Sequence, residues 1–291
     1  MFRSYFSETW ALTLGFGAKW RELRLEMRND AIPFQHRQPM ETRSSTGEMI
    51  EFREVTCTLG EEKVLREFSV SVSKGETLVL LGRSGSGKTT ALKLINRLLL
   101  PTYGEVNVNG RKTEAWDKIA LRRSIGWVIQ ESGLFPHYSV EANIAIVPRL
   151  ERWPRDRVET RLTELMQIVG LPPDLRKRYP HQLSGGQRQR VGVARALAAD
   201  PEILLMDEPF GALDAITRAD IQKEFLRLQS NLRKTIVLVT HEVREALLLG
   251  TRIALLEKGS LLGLWTKEEF AHSTDPKIRQ YLESDRAQLP I

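Results

Sequence analysis

Short aliphatic runs alternating with longer amphipathic stretches organise the chain from residue 49 onward. Ile50–Val55 and Val64–Val72 read as strands. The turn Lys74-Gly75-Glu76 then leads into Thr77–Leu81, an apolar run with the length of a buried strand. Lys88–Leu99 places apolar residues at helical spacing and is stopped by Pro101, and Val158–Val169 and Gln187–Ala199 show the same spacing. Ile125–Ile129, Ile203–Met206, Thr235–Val239 and Ile253–Leu256 are aliphatic segments of the kind that sit in parallel strands covered on both faces. This alternation predicts an α/β fold with crossover helices. Pro276–Glu283 adds a short helical tail.

Residues 1–48 follow a different pattern. The aromatics Phe2, Tyr5, Phe6, Trp10, Phe16 and Trp20 give way to the charged stretch Lys19–Asp30, then to a proline- and glutamine-bearing run that ends in Arg43-Ser44-Ser45-Thr46-Gly47. The apolar patch Trp10–Ala18 is broken by Gly15 and Gly17, and it lacks the basic lead-in and cleavage pattern of a signal peptide. The segment is read as an N-terminal extension. It is either an aromatic arm lying on a membrane or a partner, or the result of a start placed upstream of a true beginning at Met49; simple disorder is the third reading. Residues 49–291 form the main domain.

Composition excludes whole classes. With 41% hydrophobic and 27% charged residues in 291, the chain is globular rather than largely disordered. No stretch approaches the ~18 consecutive apolar residues of a membrane-spanning helix. Forty-three basic against 37 acidic residues give a net charge of +6. That balance fits a solvated arginine-rich surface as well as attraction to an anionic partner. The single cysteine, Cys57, excludes an internal disulfide and suits a reducing compartment.

Gly82-Arg83-Ser84-Gly85-Ser86-Gly87-Lys88-Thr89-Thr90 fits the pattern G-x-x-x-x-G-K-[ST] and lies between a predicted strand and a predicted helix. The glycines let successive backbone N–H groups converge on phosphate oxygens, and the helix start adds its positive end. Lys88 would reach the outer phosphates, and the Thr89 hydroxyl would hold Mg²⁺. Downstream, Ile203–Met206 ends in Asp207 and Glu208. Asp207 would approach the Mg²⁺, and Glu208 would orient or deprotonate an attacking water.

Leu183-Ser184-Gly185-Gly186-Gln187, placed between the phosphate loop and the acidic strand, resembles the signature motif of ATP-binding-cassette (ABC) ATPases. The resemblance runs from residue 49 to about 265. It implies a P-loop NTPase fold of the ABC type, with a small antiparallel β subdomain and a helical signature-motif subdomain at about 134–200. It also implies a head-to-tail pair of cassettes, with ATP sandwiched between Gly82–Thr90 of one copy and Ser184, Gly185, Gly186 and Gln187 of the other. Gln130 resembles the glutamine that contacts Mg²⁺ and water, and Asp214, in Ala212-Leu213-Asp214, the loop residue that crosses the dimer interface. His241 resembles the histidine that grips the γ-phosphate. One position departs from the pattern: in Val55-Thr56-Cys57-Thr58-Leu59-Gly60, Leu59 stands where an adenine-stacking aromatic is usual.

Longer strings narrow the resemblance. Lys93-Leu94-Ile95-Asn96-Arg97-Leu98, Ala145-Ile146-Val147-Pro148-Arg149-Leu150 with Trp153-Pro154, and Pro209–Arg218 are similar to ATPases of bacterial osmoprotectant importers, which take up glycine betaine, choline or carnitine. The resemblance then implies integral-membrane permease subunits as partners, docked near Phe135–Ser139, and indirectly an extracytoplasmic solute-binding protein. It places the chain peripherally on the cytoplasmic face of the membrane, with no nucleic-acid partner. Importers of polyamines, sulfonates or oxyanions remain open, as does a soluble ABC ATPase.

Overall fold

The computed structural model describes residues 47–130, 132–211 and 213–286, all within the unit Ser44–Ile291. The expectations for the N-terminal extension, and Ala212 of the Asp214 loop, fall outside the described residues, Gly47 and Glu48 apart.

Strand β1 (Glu48–Leu59) pairs antiparallel with β2 (Glu62–Ser73) on one edge and β4 (Tyr103–Val108) on the other; β5 (Arg111–Lys112) extends the sheet in the order β2-β1-β4-β5. β4 is a strand that the aliphatic pattern does not predict. Its local signal is Asn109-Gly110, both left-handed at φ 52° and 72°, the preferred turn of a two-residue hairpin.

The second sheet has the order β10-β9-β3-β8-β7-β6. β3 (Thr77–Leu81), β6 (Ile125–Val128), β7 (Ile203–Asp207), β8 (Thr235–Thr240) and β9 (Arg252–Glu257) run parallel, and β10 (Ser260–Thr266) is an antiparallel edge. Alternate residues of the parallel strands enter two cores. Leu78, Leu80, Leu205 and Val239 pack with helix α1 (Lys88–Ile95), helix α2 (Lys118–Ser124) and the antiparallel sheet. Val79, Leu81, Leu204, Met206 and Leu238 pack toward the helices on the other face. Burial on both faces is why these strands read as unbroken aliphatic runs.

Helix α1 is shorter than the Lys88–Leu99 pattern predicts. Arg97 turns left-handed at φ 54°, its N–H donates to the Leu94 carbonyl, and the Leu98 N–H donates to the Lys93 carbonyl at 2.8 Å. These paired bonds are a Schellman stop. Leu94 and Ile95 stay fully buried, while Leu98 and Leu100 are about half exposed. Residues 134–200 contain helices α3 (Val140–Ile144), α4 (Ile146–Leu150), α5 (Arg155–Ile168) and α6 (Gly185–Leu197). Beyond them lie α7 (Ala215–Leu232), α8 (Val243–Leu249), α9 (Lys267–Ala271) and α10 (Pro276–Arg286). Among the described residues no helix is long and apolar enough to cross a membrane.

Candidate nucleotide site

In a parallel sheet every strand presents its carboxyl end on the same side, and loops at that edge share a crevice. β3, β8, β7 and β6 are consecutive neighbours here. Their carboxyl ends carry, in spatial order, the loop Gly82–Thr90, His241, Asp207 with Glu208, and, two residues past β6, Gln130. Segments separated by more than 150 positions in sequence thus meet along one edge.

The loop after β3 is tightly constrained. Gly87, at φ 99°, caps α1; a Cβ there would lie 2.7 Å from both the Val64 carbonyl oxygen and Leu65 Cδ2. A Cβ on Gly82 would lie 2.3 Å from the Leu256 carbonyl oxygen. Only glycine lets β2 and β9 approach the loop this closely. Arg83, Ser84 and Gly85 are exposed, whereas Ser86 and Thr90 are buried. Lys88 is 4% exposed, and its Nζ donates to the carbonyl oxygens of Gly82 at 2.7 Å and Arg83 at 2.8 Å. Burial lowers its pKa, against the opposing pull of the Glu208 and Asp207 charges. The ammonium is thus held across the loop with few competing water contacts, suited to pairing with phosphate.

Thr89 Oγ1 donates to Asp207 Oδ1 at 3.0 Å. Asp207 is 7% exposed, and burial raises its pKa, with the Thr89 hydrogen bond acting in the opposite direction. A hydroxyl and a carboxylate side by side are the hard oxygen donors that suit Mg²⁺. That donor chemistry fits the expected metal.

Glu208 is left-handed at φ 43°, and its N–H donates to the Val239 carbonyl at 3.0 Å. Its Oε1 lies 3.4 Å from Nδ1 of the half-exposed His241. A carboxylate and an imidazole facing the same crevice can orient a water and bind a phosphoryl oxygen between them.

Ser184–Gln187 form a second cluster. Ser184 Oγ accepts the Gln187 N–H at 3.2 Å, and Gln187 Oε1 accepts the Ser184 N–H at 2.9 Å, a reciprocal cap at the start of α6. Asp214 caps α7 by a single bond, accepting from Thr217 N–H at 3.0 Å, and that bond lowers its pKa. A Cβ on Gly186 would lie 2.5 Å from Thr217 Cγ2, so the two helix starts press together. Leu59 ends β1 at the hairpin tip, 44% exposed and paired in register with Glu62.

Two residues of the surroundings carry no sequence signal. Arg195 on α6 donates to the carbonyls of Ser132 at 2.9 Å and Gly133 at 2.8 Å, fixing the loop that follows Gln130; burial lowers its pKa. Asn143 is fully buried, and its Nδ2 lies within hydrogen-bond distance of three carbonyls in the Phe135–Ser139 turn. Arginines and asparagines on helices are ordinary in a sequence; only folding identifies these two as clamps.

Residues 65–211 match the ABC transporter family. The chain is 51% identical over 214 residues to a glycine betaine uptake system ATP-binding protein of Escherichia coli (strain K12), covering 74% of this chain and 70% of that protein. It is 48% identical over 228 residues to a glycine betaine/carnitine/choline transport ATP-binding protein of Bacillus subtilis (strain 168), covering 78% of this chain but only 60% of that one. Among solved structures it is similar to an ATP-binding cassette dimer in a post-hydrolysis state bound to ADP and Pi, at 33% identity and a TM-score of 0.69, covering 75% of this chain and 99% of that one. Agreement of this extent, over a region that spans the phosphate loop and the acidic strand, means that the chain belongs to the ABC transporter family.

Proposed function

We propose that this chain is the ATP-hydrolysing subunit of a membrane importer for a small quaternary-amine osmoprotectant such as glycine betaine, choline or carnitine. The observation that carries the hydrolytic reading is the meeting, at neighbouring strand ends, of Lys88 on its glycine loop, the Thr89–Asp207 pair at 3.0 Å and the Glu208–His241 pair at 3.4 Å. Support for the substrate class comes from the relatives, both of those described above being named for glycine betaine. A sulfate/thiosulfate import ATP-binding protein is 38% identical, so the motor alone discriminates poorly among solutes.

In this reading the N–H groups of Gly85–Thr90 and the Lys88 ammonium bind the ATP phosphates. Thr89 and Asp207, with Gln130, hold Mg²⁺, which when bound neutralises charge on the outer phosphates. Glu208 orients and deprotonates the attacking water, and His241 binds the γ-phosphoryl oxygen as negative charge develops there. Leu59 covers adenine by apolar contact. Two copies pair head to tail, so that Ser184, Gly185, Gly186 and Gln187 of one complete the site of the other and Asp214 steadies the crossing. Phe135 and Tyr138, both exposed and with ring centroids 5.5 Å apart, form part of the surface that meets permease subunits at the membrane. An extracytoplasmic solute-binding protein delivers the substrate to those subunits.

A tagged pull-down from detergent-solubilised native membranes, read by mass spectrometry, tests this. A multi-spanning permease and a solute-binding protein that binds glycine betaine or choline are expected. Recovery of only ribosomal or DNA-associated proteins would overturn the transport reading. In parallel, Lys88→Ala should abolish ATP binding or turnover, and Glu208→Gln should retain ATP and trap the closed dimer. Normal turnover in Glu208→Gln would refute the role of that residue.

A further inference from the structure

His241 lies at the end of β8 on a half-exposed turn. A side chain at such a strand end needs something to fix its direction. Both of its chain neighbours are tied to one face of α7. On one side, Glu242 Oε1 accepts from Arg218 Nη1 at 2.5 Å, while Arg218 Nη2 donates to the Leu213 carbonyl at 3.2 Å. One guanidinium therefore joins the residue after His241 to the residue before Asp214. On the other side, Thr240 Oγ1 donates to Glu245 Oε2 at 2.6 Å and accepts from Glu242 N–H at 3.0 Å. Gln222 Nε2 completes the frame by donating to Glu245 Oε1 at 3.0 Å.

Arg218 and Gln222 are four residues apart, which places them on one face of the helix. Thr240 and Glu245 are almost wholly buried, at 1% and 3% exposure. Hydrogen bonds at such depth are costly to break. Neither arm touches a residue that the catalytic reading uses directly, yet together they bracket His241.

We propose that Arg218, with Gln222 and Glu245, is a positioning device for His241: a brace from the helix that Asp214 begins to the turn that aims the imidazole. The bidentate fork of Arg218 is suited to this because a planar guanidinium spans two acceptors at a fixed angle. The brace also makes the direction of His241 depend on where the Asp214 loop sits. The proposal rests on the ATPase reading of the site.

The test compares Arg218→Met, His241→Ala and the double variant of the full chain, with single-turnover hydrolysis of radiolabelled ATP for the slow variants. Arg218→Met is expected to lower kcat about tenfold or more, to leave the Kd for ATP within about twofold, and to add nothing in the His241→Ala background. Unchanged turnover in Arg218→Met overturns the brace. So does an equal loss in the presence and absence of His241, because damage unrelated to the imidazole would persist without it. If Arg218→Met fails to fold, Glu242→Met removes the acceptor of the same pair from the other side and is read by the same criteria. A wild type that does not hydrolyse ATP overturns both this inference and the function on which it rests.

Discussion

Replacing Asn143 with alanine should loosen the turn over residues 135–139 and cost about 3 kcal/mol of folding stability. The side chain is fully buried. Its Oδ1 accepts the Phe135 N–H at 2.8 Å, and its Nδ2 faces the carbonyls of Phe135, Tyr138 and Ser139 at 3.0–3.1 Å. An amide nitrogen has two protons, so the three acceptors share two donors and the side chain supplies about three effective hydrogen bonds. At a net value of roughly 1 kcal/mol each, the sum is about 3 kcal/mol. For a chain of this size that corresponds to a fall in Tm of roughly 6–12 °C. Thermal unfolding measures the global cost, and amide hydrogen exchange at Phe135 and Tyr138 measures the local one. Asn143→Asp separates hydrogen bonding from shape: it keeps the acceptor for Phe135 N–H but turns a carboxylate toward three carbonyl oxygens. Its loss at neutral pH should equal or exceed that of alanine. A Tm within about 2 °C of wild type for Asn143→Ala, or an aspartate tolerated as well as asparagine, would refute the reasoning.

Gly87→Ala should cost about 3 kcal/mol, from the left-handed φ of 99° and from the Cβ pressed against the Val64 carbonyl, with weakened ATP binding; denaturant titration and nucleotide binding check it, and a neutral effect on both counts against the constrained loop. Burial raises the pKa of Glu245 above the ordinary 4.5, so the folded state holds that proton to higher pH than the unfolded chain does. Stability contributed at this position is therefore lost as pH rises through 4.5 and above. Urea unfolding of wild type and Glu245→Gln across that range should show the wild type losing ground to the variant with rising pH; parallel curves would contradict the assignment. Leu59→Tyr should bind ATP about fivefold more tightly through ring stacking worth roughly 1 kcal/mol, and equal affinities would count against weaker adenine binding with leucine at this position.

The candidate site is legible because its chemistry is local. Gly82–Thr90 needs a fixed spacing of glycines and a lysine, and Asp207-Glu208 needs an aliphatic strand before it; both patterns survive in a one-dimensional string. Thr77–Leu81 and Thr235–Thr240 were likewise visible, since burial on both faces leaves no polar interruption. The Lys88–Leu99 pattern ran past the true helix end because Leu98 and Leu99 kept the apolar rhythm. The stop came instead from Arg97 adopting φ 54°, a conformation that side-chain hydrophobicity does not encode. The strands Tyr103–Val108 and Ser260–Thr266 were obscured by their mixed character, and only the turns Asn109-Gly110 and Lys258-Gly259 announced them.

Sequence alone therefore picked out the candidate residues for the chemistry: the phosphate loop, the paired carboxylates and the histidine after an aliphatic strand. Tertiary structure decided which of them meet and what holds them there. The order β3-β8-β7-β6 set His241 between the loop and the carboxylates, although in the chain it follows both. Folding also recruited Arg195, Arg218 and Glu245, whose partners Ser132, Glu242 and Gln222 lie 63, 24 and 23 residues away in the chain. The physical reason is range. Periodicity and turn chemistry act over a few neighbours, whereas a buried hydrogen-bond clamp exists only after long-range strand pairing has excluded water and fixed both of its ends.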